Sequence, residues 1–275
     1  MSRRSIDPLD SPSIGRRSSP SLERGLAPTE TVSLDPFDQT GFRARLEWGV
    51  AGVRALAPRV GLVVVVDVLS FSTSTCVAVE QGARVVPARS AGEATAHARS
   101  IGALPADPER SVSHPTLAPS SLLAVRTGET LVLGSPNGGV CAVDAAEAGA
   151  MVVVGCLRNA SAVGRLVAAH GGASAIIAAG ERWPDGTLRP ALEDLLGAGA
   201  ILAMVGSADL SPEARAASAA FNDIRTTIED AIRGCGSARE LTGRGFSADV
   251  ELAAELDATD RVPVLVDGAF VGGMG

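Results

Sequence analysis

The stretch VVVVDVLSFSTSTC, Val63 to Cys76, places a carboxylate directly after a run of valines and follows it with a cluster of small hydroxyls. Consecutive β-branched residues predict a strand buried on both faces, as at the centre of a parallel sheet. Ligands of such sheets bind just beyond the carboxyl ends of the strands. Asp67 is therefore placed to hold a cation, and Ser70, Ser72, Thr73, Ser74 and Thr75 to surround an anion at the start of the following helix. The same residue types are also the usual helix N-caps, so the segment alone leaves a structural role open.

Three further polar segments follow predicted strands and are expected at the same rim. Ser135-Pro136-Asn137-Gly138-Gly139 follows TLVLG, where Asn137 and the glycines can turn the chain and offer N–H groups to an oxyanion. Gly155 to Asn159 follows MVVV; Arg158 can pair with an anion while Asn159 caps the next helix. The third, AAGERWPDGTLRPALEDLLGAGA (residues 178 to 200), crowds Glu181, Arg182, Asp185, Arg189, Glu193 and Asp194 between a strand and a helix. The helix dipole accounts for a carboxylate in the first turn. It accounts less well for Glu181, Arg182 and Arg189, and carboxylates brought near Asp67 would make an oxygen-rich site suited to Mg²⁺.

The elements that must position these groups alternate. Beyond an alternating edge strand at Phe42–Trp48, strands are expected at Leu62–Val66, Arg84–Pro87, Thr130–Leu133, Met151–Val154, Ala175–Ala178 and Val262–Val266, separated by Ala-rich stretches of helical length. That pattern argues for an α/β protein with a layered sheet. Asn159 and Pro190 mark helix starts, and Ser211-Pro212-Glu213 opens a long helix to about Gly234 with Phe221, Ile224, Ile228 and Ile232 as a core stripe. Asp267-Gly268 predicts a terminal hairpin. Residues 1–38, rich in Ser, Pro and Arg, are expected to be a disordered extension, and 39–275 a single domain or two intimately packed halves.

Composition removes whole classes of chemistry. The 275-residue chain has no Lys, so all 24 basic residues are Arg, and a Walker A loop, Schiff-base catalysis and a lysine base are excluded. Anions held by a basic side chain must be held by guanidinium. A net charge of -7, six Phe, two Trp and no Tyr argue against nucleic-acid binding. No apolar run is long enough for a membrane span, and Cys76, Cys141, Cys156 and Cys235 are too scattered for zinc or a disulfide framework; a cytoplasmic protein with reduced thiols is expected. No Cys has an Arg six positions on, Asp67 lacks a second acid two residues later, and His97, His114 and His170 lie outside the polar loops. Metal-assisted chemistry on a small anionic substrate survives.

Taken together, VVVVDVLSFSTSTCVAVEQGA, LVLGSPNGG, VVVGCLRNASAV and AAGERWPDGTLRPALEDLLGAGAI, in this order and spacing, resemble the 2-phosphosulfolactate phosphatase family from about Phe42 onward. The resemblance implies a three-layer α/β/α fold with a largely parallel or mixed sheet, and Mg²⁺-dependent hydrolysis of an organophosphate such as 2-phosphosulfolactate, in coenzyme M biosynthesis. There are two departures. Ser70 stands where the characterised type is expected to carry an anion-pairing Arg (DVLRATT), and Ser135-Pro136-Asn137-Gly138-Gly139 replaces a TNGT-like turn. Losing one guanidinium weakens a buried anion contact by about 1.5–3 kcal/mol, unless Arg182, Arg158 or Arg189 compensates.

The leading expectation is a Mg²⁺-dependent phosphomonoesterase, with Asp67, Glu193 and Asp194 (or Glu181) at the metal. Ser70, Ser72, Thr73, Ser74, Asn137, Gly138, Asn159 and Arg189 would contact the substrate, and Arg158 and Arg182 would stabilise charge with Asp67 and Glu181 at the catalytic centre. A covalent phosphoenzyme on Asp67 or a hydroxyl, and a non-catalytic anion-binding or regulatory relative, remain as alternatives, and a homodimer is left open.

Overall fold

In a computed structural model of the chain, residues 36–107 and 109–274 are described. The expected extension lies outside the described residues up to 35; Pro36–Asp38 form a short 3-10 turn whose Asp38 is buried against Arg45, with Arg45 Nη1 donating to the Asp38 carbonyl. The described residues belong to one compact unit. Its strands are β1 (Ala44–Trp48), β2 (Leu62–Val66), β3 (Arg84–Ala88), β4 (Leu104–Pro105), β5 (Thr130–Gly134), β6 (Met151–Gly155), β7 (Ser174–Ala178), β8 (Glu181–Arg182), β9 (Leu188–Arg189), β10 (Arg261–Val266) and β11 (Ala269–Met274). The helices are α1 (Gly49–Leu56), α2 (Phe71–Glu80), α3 (Ala91–Ile101), α4 (Gly138–Glu147), α5 (Ala160–Ala169), α6 (Leu192–Leu202), α7 (Pro212–Ile224), α8 (Ile228–Gly234), α9 (Gly236–Gly243) and α10 (Ser247–Ala254).

The valine strand β2 is buried along its whole length because alternate side chains feed two cores. Leu62, Val64 and Val66 pack with residues of α5, α6, α7 and α8, whereas Val63 and Val65 pack with α1, α2 and α4. Helices therefore cover both faces, which makes the α/β/α layering expected from the sequence.

The large sheet runs β1-β7-β2-β6-β10-β11-β3-β5-β4. It is mixed and mostly parallel: β1, β7, β2 and β6 form one parallel block and β3, β5 and β4 another. Between them lies the antiparallel hairpin β10–β11, joined to β6 at Val264–Val153 and to β3 at Phe270–Val85. Two antiparallel attachments and the hairpin itself reverse direction three times, so the β3–β5–β4 block runs opposite to β2. The hairpin turn is Asp267-Gly268, with φ of 48° and 79°, as an Asp-Gly turn of the primed type requires.

Other local signals resolve with small shifts. Ser211 accepts from the Ala214 N–H and Pro212 occupies the first position of α7. The expected long helix is interrupted by a 3-10 turn at Arg225–Thr227, yet Phe221, Ile228 and Ile232 stay in one core. Pro190 lies just before α6 instead of inside it, and Glu193 and Asp194 occupy its first turn. Among the described residues no helix is long and apolar enough to cross a membrane, and the four cysteines are free and buried.

Candidate active site

Asp67 leaves the end of β2 and its carboxylate caps two helices at once. Oδ1 accepts from the N–H of Phe71, the first residue of α2, at 3.2 Å, and Oδ2 accepts from the N–H of Gly138, the first residue of α4, at 2.8 Å. The Ser135 hydroxyl adds a third donor to Oδ2 at 3.3 Å. A side chain at position 138 would put its Cβ 2.6 Å from Asp67 Oδ2 and 2.7 Å from the Phe71 ring, so only glycine lets α4 approach this closely. The sequence places the loop after β5 at one rim with Asp67 on the premise of a single parallel sheet. The meeting occurs although β5 runs opposite to β2: Ser135, directly after β5, and Gly138, at the start of α4, both donate to Asp67, and α4 then packs against α1 and β2.

A second carboxylate braces the same loop. Asp194, in the first turn of α6, accepts from the Val68 N–H at 2.7 Å and the Gly180 N–H at 2.8 Å, tying the β2 and β7 ends together. Gly180 has φ of 68°, the left-handed conformation that turns its N–H toward α6. Asp194 is thus a structural latch, and we expect Asp194→Ala to leave two buried N–H groups unpaired and to cost about 2–5 kcal/mol. A clear fall in the urea midpoint checks this; reduced activity at unchanged stability would instead assign Asp194 a direct chemical role.

Asp67 and Glu181 line one pocket of about 240 Å³ with Leu69, Ser70, Arg110, Leu117, Ser135, Pro136, Asn137, Ser237, Glu240, Leu241 and Arg244. A groove of about 1110 Å³ lies elsewhere, along α3, β3 and the hairpin, and contains none of the candidate acids. The smaller pocket is the one with convergent polar chemistry. Its acids are strained electrostatically: burial pushes Asp67 up to about 6, against the pull of the Gly138, Phe71 and Ser135 donors, with Glu193 repelling it further. Burial, then the charge of Asp67, holds Glu181 at about 7, although the Asn137 amide donates to its Oε2 at 3.0 Å. Burial and the charges of Asp67 and Glu193 also hold Asp194 well above the usual carboxylate range. Glu193 is 1% exposed and its Oε2 has no hydrogen-bond partner among the described residues. Burial and the Glu193 charge push the neighbouring Cys235 thiol up to about 12.

This crowding of buried acids is what a cation would relieve. The Asp67–Glu193–Asp194 set does not close as a cage, since no three His, Cys, Asp or Glu side chains among the described residues converge for a metal ion. Asp194 is spent on Val68 and Gly180. That leaves Asp67, whose Oδ1 has a single donor, and the unpartnered Glu193 Oε2 as the carboxylates that could hold Mg²⁺, which takes one or two carboxylates and keeps water for the rest.

The structure brings together some of the expected substrate contacts and disperses others. Ser70, Asn137 and Glu181 line the pocket, and Gly138 holds Asp67. The hydroxyls of Ser72, Thr73 and Ser74 turn back to the carbonyls of Val65, Val68 and Leu117, so they do not face an anion. The helix N-terminus they were to serve is already capped by Asp67 itself. Asn159 bonds Cys156 N–H, Val154 O and Arg261 O inside the core. Arg158 is paired with Glu80 and Glu255; Glu80 ends α2, so this pair sits about 15 Å along the helix from its Asp67 end. Neither residue reaches the pocket. Arg182 donates to Pro136 O at 2.9 Å and steadies the turn before Asn137, while Arg189 reaches the pocket indirectly, donating to Ser237 at 2.9 Å over the Trp183 ring.

Two guanidiniums that sequence reasoning missed enter the pocket. Arg110 Nη2 donates to the Ser70 hydroxyl at 2.8 Å, and Nη1 pairs with buried Asp249, which also accepts from Ser120. A guanidinium thus stands beside Ser70, where the resemblance leads one to expect an Arg, and it comes from Arg110 and not from Arg182, Arg158 or Arg189. No spacing signals it, because Asp249 lies 139 residues from Arg110. Arg244 is the second, 5.8 Å from the centroid of the Phe246 ring that Arg110 approaches at 5.5 Å.

Comparison with known proteins gives the same direction. A family model described as 2-phosphosulpholactate phosphatase matches residues 54–268. The chain is 32% identical over 210 residues to the 2-phosphosulfolactate phosphatase of Methanothermobacter thermautotrophicus, covering 76% of this chain and 88% of that protein. It is 34% identical over 145 residues to a probable 2-phosphosulfolactate phosphatase of Deinococcus radiodurans, covering 51% and 58% of the two chains. A probable 2-phosphosulfolactate phosphatase of Thermotoga petrophila is 37% identical over 83 residues, 30% of this chain and 37% of that one.

Proposed function

The chain belongs to the 2-phosphosulpholactate phosphatase family, and on that premise we propose that it hydrolyses a phosphate monoester of a small acidic molecule of the 2-phosphosulfolactate type, with Mg²⁺. The observation that carries this reading is the meeting of Asp67 and Glu181 in one pocket with Ser70, Asn137 and two guanidiniums; without metal, burial and the Asp67 charge hold Glu181 at about 7. A carboxyl with that value can hold a proton at neutral pH and give it up to a departing oxygen.

In the proposed reaction Asn137 orients Glu181 through its amide, so that the Glu181 carboxyl proton is presented to the leaving alkoxide. Ser70, whose hydroxyl accepts from Arg110 and keeps its own proton to give, and Asn137 offer donors to the phosphoryl oxygens from the wall around Asp67. Asp67 and Glu193 would hold Mg²⁺, with water filling its remaining positions. When bound, the ion supplies positive charge against the charge that develops on the transferring phosphoryl group. The donors from Phe71, Ser135 and Gly138 fix both Asp67 oxygens, an arrangement that suits a ligand better than a nucleophile and favours direct attack by water over a phosphoenzyme. This reading also places the enzyme in the cytoplasm, where free thiols such as its four cysteines persist.

The test is hydrolysis of 2-phosphosulfolactate and a panel of small organophosphates, with calorimetric titration of Mg²⁺ alongside. We expect turnover that a chelator abolishes and Mg²⁺ restores, and measurable Mg²⁺ binding that Glu193→Gln weakens. Turnover unaffected by chelator would remove the metal from the mechanism, and tight anion binding without turnover would point to a non-catalytic relative.

A further inference from the structure

The pocket carries charges of both signs. Asp67, Glu181 and Glu240 share its lining with Arg110 and Arg244, and both guanidiniums lie over one ring, Phe246, at 5.5 and 5.8 Å from its centroid. Bringing two guanidiniums to one ring costs mutual repulsion, and Arg110 is compensated by a buried acid, Asp249. Among the described residues the ion-pair partner of Arg244 is the exposed Glu240, at 3.4 Å. The Arg110 head group is rigid: its side chain is 12% exposed, and Asp249, Ser70 and Phe246 hold it from three sides. Arg244, 54% exposed, can move toward whatever enters. A fixed guanidinium beside a mobile one suits a planar or tripodal oxyanion, which accepts several N–H donors at once.

We propose that Arg110 and Arg244 are specificity-determining residues that bind a second acidic group of the substrate, a carboxylate or sulfonate, away from the phosphoryl group at Asp67 and Glu181. The substrate class in this inference rests on the phosphatase reading above. The subsite itself rests on the Arg110–Phe246–Arg244 arrangement. Asp249 is then a positioning residue, since its carboxylate meets Arg110 and Ser120 and not the pocket.

The test compares kcat/KM for 2-phosphoglycerate, which carries a carboxylate, with that for phenyl phosphate, which carries none. The wild type prefers the acid-bearing ester, and Arg244→Gln lowers that preference by about tenfold, mainly through KM, as loss of a charge-assisted contact requires. Arg110→Gln alone would strand Asp249 as an unpaired buried charge, so the Arg110→Gln/Asp249→Asn double variant is measured instead, with an equal or larger effect expected. A preference that is unchanged in both variants overturns the proposal. Should the wild type hydrolyse neither ester, the 2-phosphosulfolactate assay above decides the phosphatase reading, and the subsite is decided separately. Calorimetric binding of sulfoacetate, which has sulfonate and carboxylate but no phosphate, then decides it. Binding that weakens about tenfold in Arg244→Gln supports the subsite, and either equal binding or no binding to the wild type overturns it.

Discussion

Asp67→Asn should lower kcat for phosphomonoester hydrolysis by about 10³-fold or more while leaving the chain folded. The substitution keeps the shape of the side chain and removes its charge. One of the two helix starts that Asp67 caps, at Phe71 or Gly138, would then face an amide NH₂ in place of an oxygen, at a cost of about 1–3 kcal/mol. Against that cost stands the removal of a buried charge that repels Glu193, Glu181 and Asp194. The two terms oppose each other, so the urea midpoint should move little compared with activity. Calorimetry should show weaker Mg²⁺ binding in the same variant. Near-normal turnover at saturating Mg²⁺ would remove Asp67 from the reaction.

Glu181→Gln should be slower and, without metal, more stable than the wild type at alkaline pH. Loss of a positioned acid costs about 10²–10⁴ in rate. The stability effect follows from proton linkage. The Glu181 carboxyl titrates near 4.5 when unfolded and at about 7 in the folded protein. Between those values the native state holds a proton that the unfolded chain has lost, so this group makes stability fall as pH rises from about 4.5 to about 7. Above pH 7 the full penalty of about 1–3 kcal/mol is present, and Gln, which can still accept from the Asn137 amide, removes it. Chelator-treated wild type and variant should therefore differ in melting temperature at pH 8 and converge toward pH 4.5. Added Mg²⁺ should raise the wild-type melting temperature more at pH 8 than at pH 5, because protons compete with the metal for the same acidic cluster. Equal melting temperatures of the two chains at pH 8 would show that Glu181 carries no such penalty.

Several features were legible because they depend on neighbours in the chain. Four valines at Val63–Val66 can satisfy only a strand buried on both faces, the Ser211-Pro212 pair starts a helix, and Asp267-Gly268 turns a hairpin. The acidic segment Glu181–Asp194 likewise falls where expected, running from the end of β7 into the first turn of α6. The reversed second block of the sheet was not legible, because strand direction is set by the β10–β11 hairpin inserted between β6 and β3 from the far end of the chain. The roles of the small hydroxyls were not legible either. Composition places Ser72, Thr73 and Ser74 at a helix start, but their rotamers hand those hydroxyls to carbonyls.

Residue order and type were enough for the α/β class, the resemblance to a phosphatase family, a set of acids from which partners of Asp67 could be drawn, and the exclusion of lysine chemistry. Tertiary structure alone decided which acids reach the pocket and which guanidiniums answer them. Asp194 is drawn off to brace two strand ends and Arg158 to pair with Glu80, while Arg110 and Arg244 arrive from segments with no motif. The physical reason is the length of the arginine side chain. A guanidinium sits several bonds from its backbone and goes where a buried partner holds it, and the partner of loop residue Arg110 is Asp249, buried in α10.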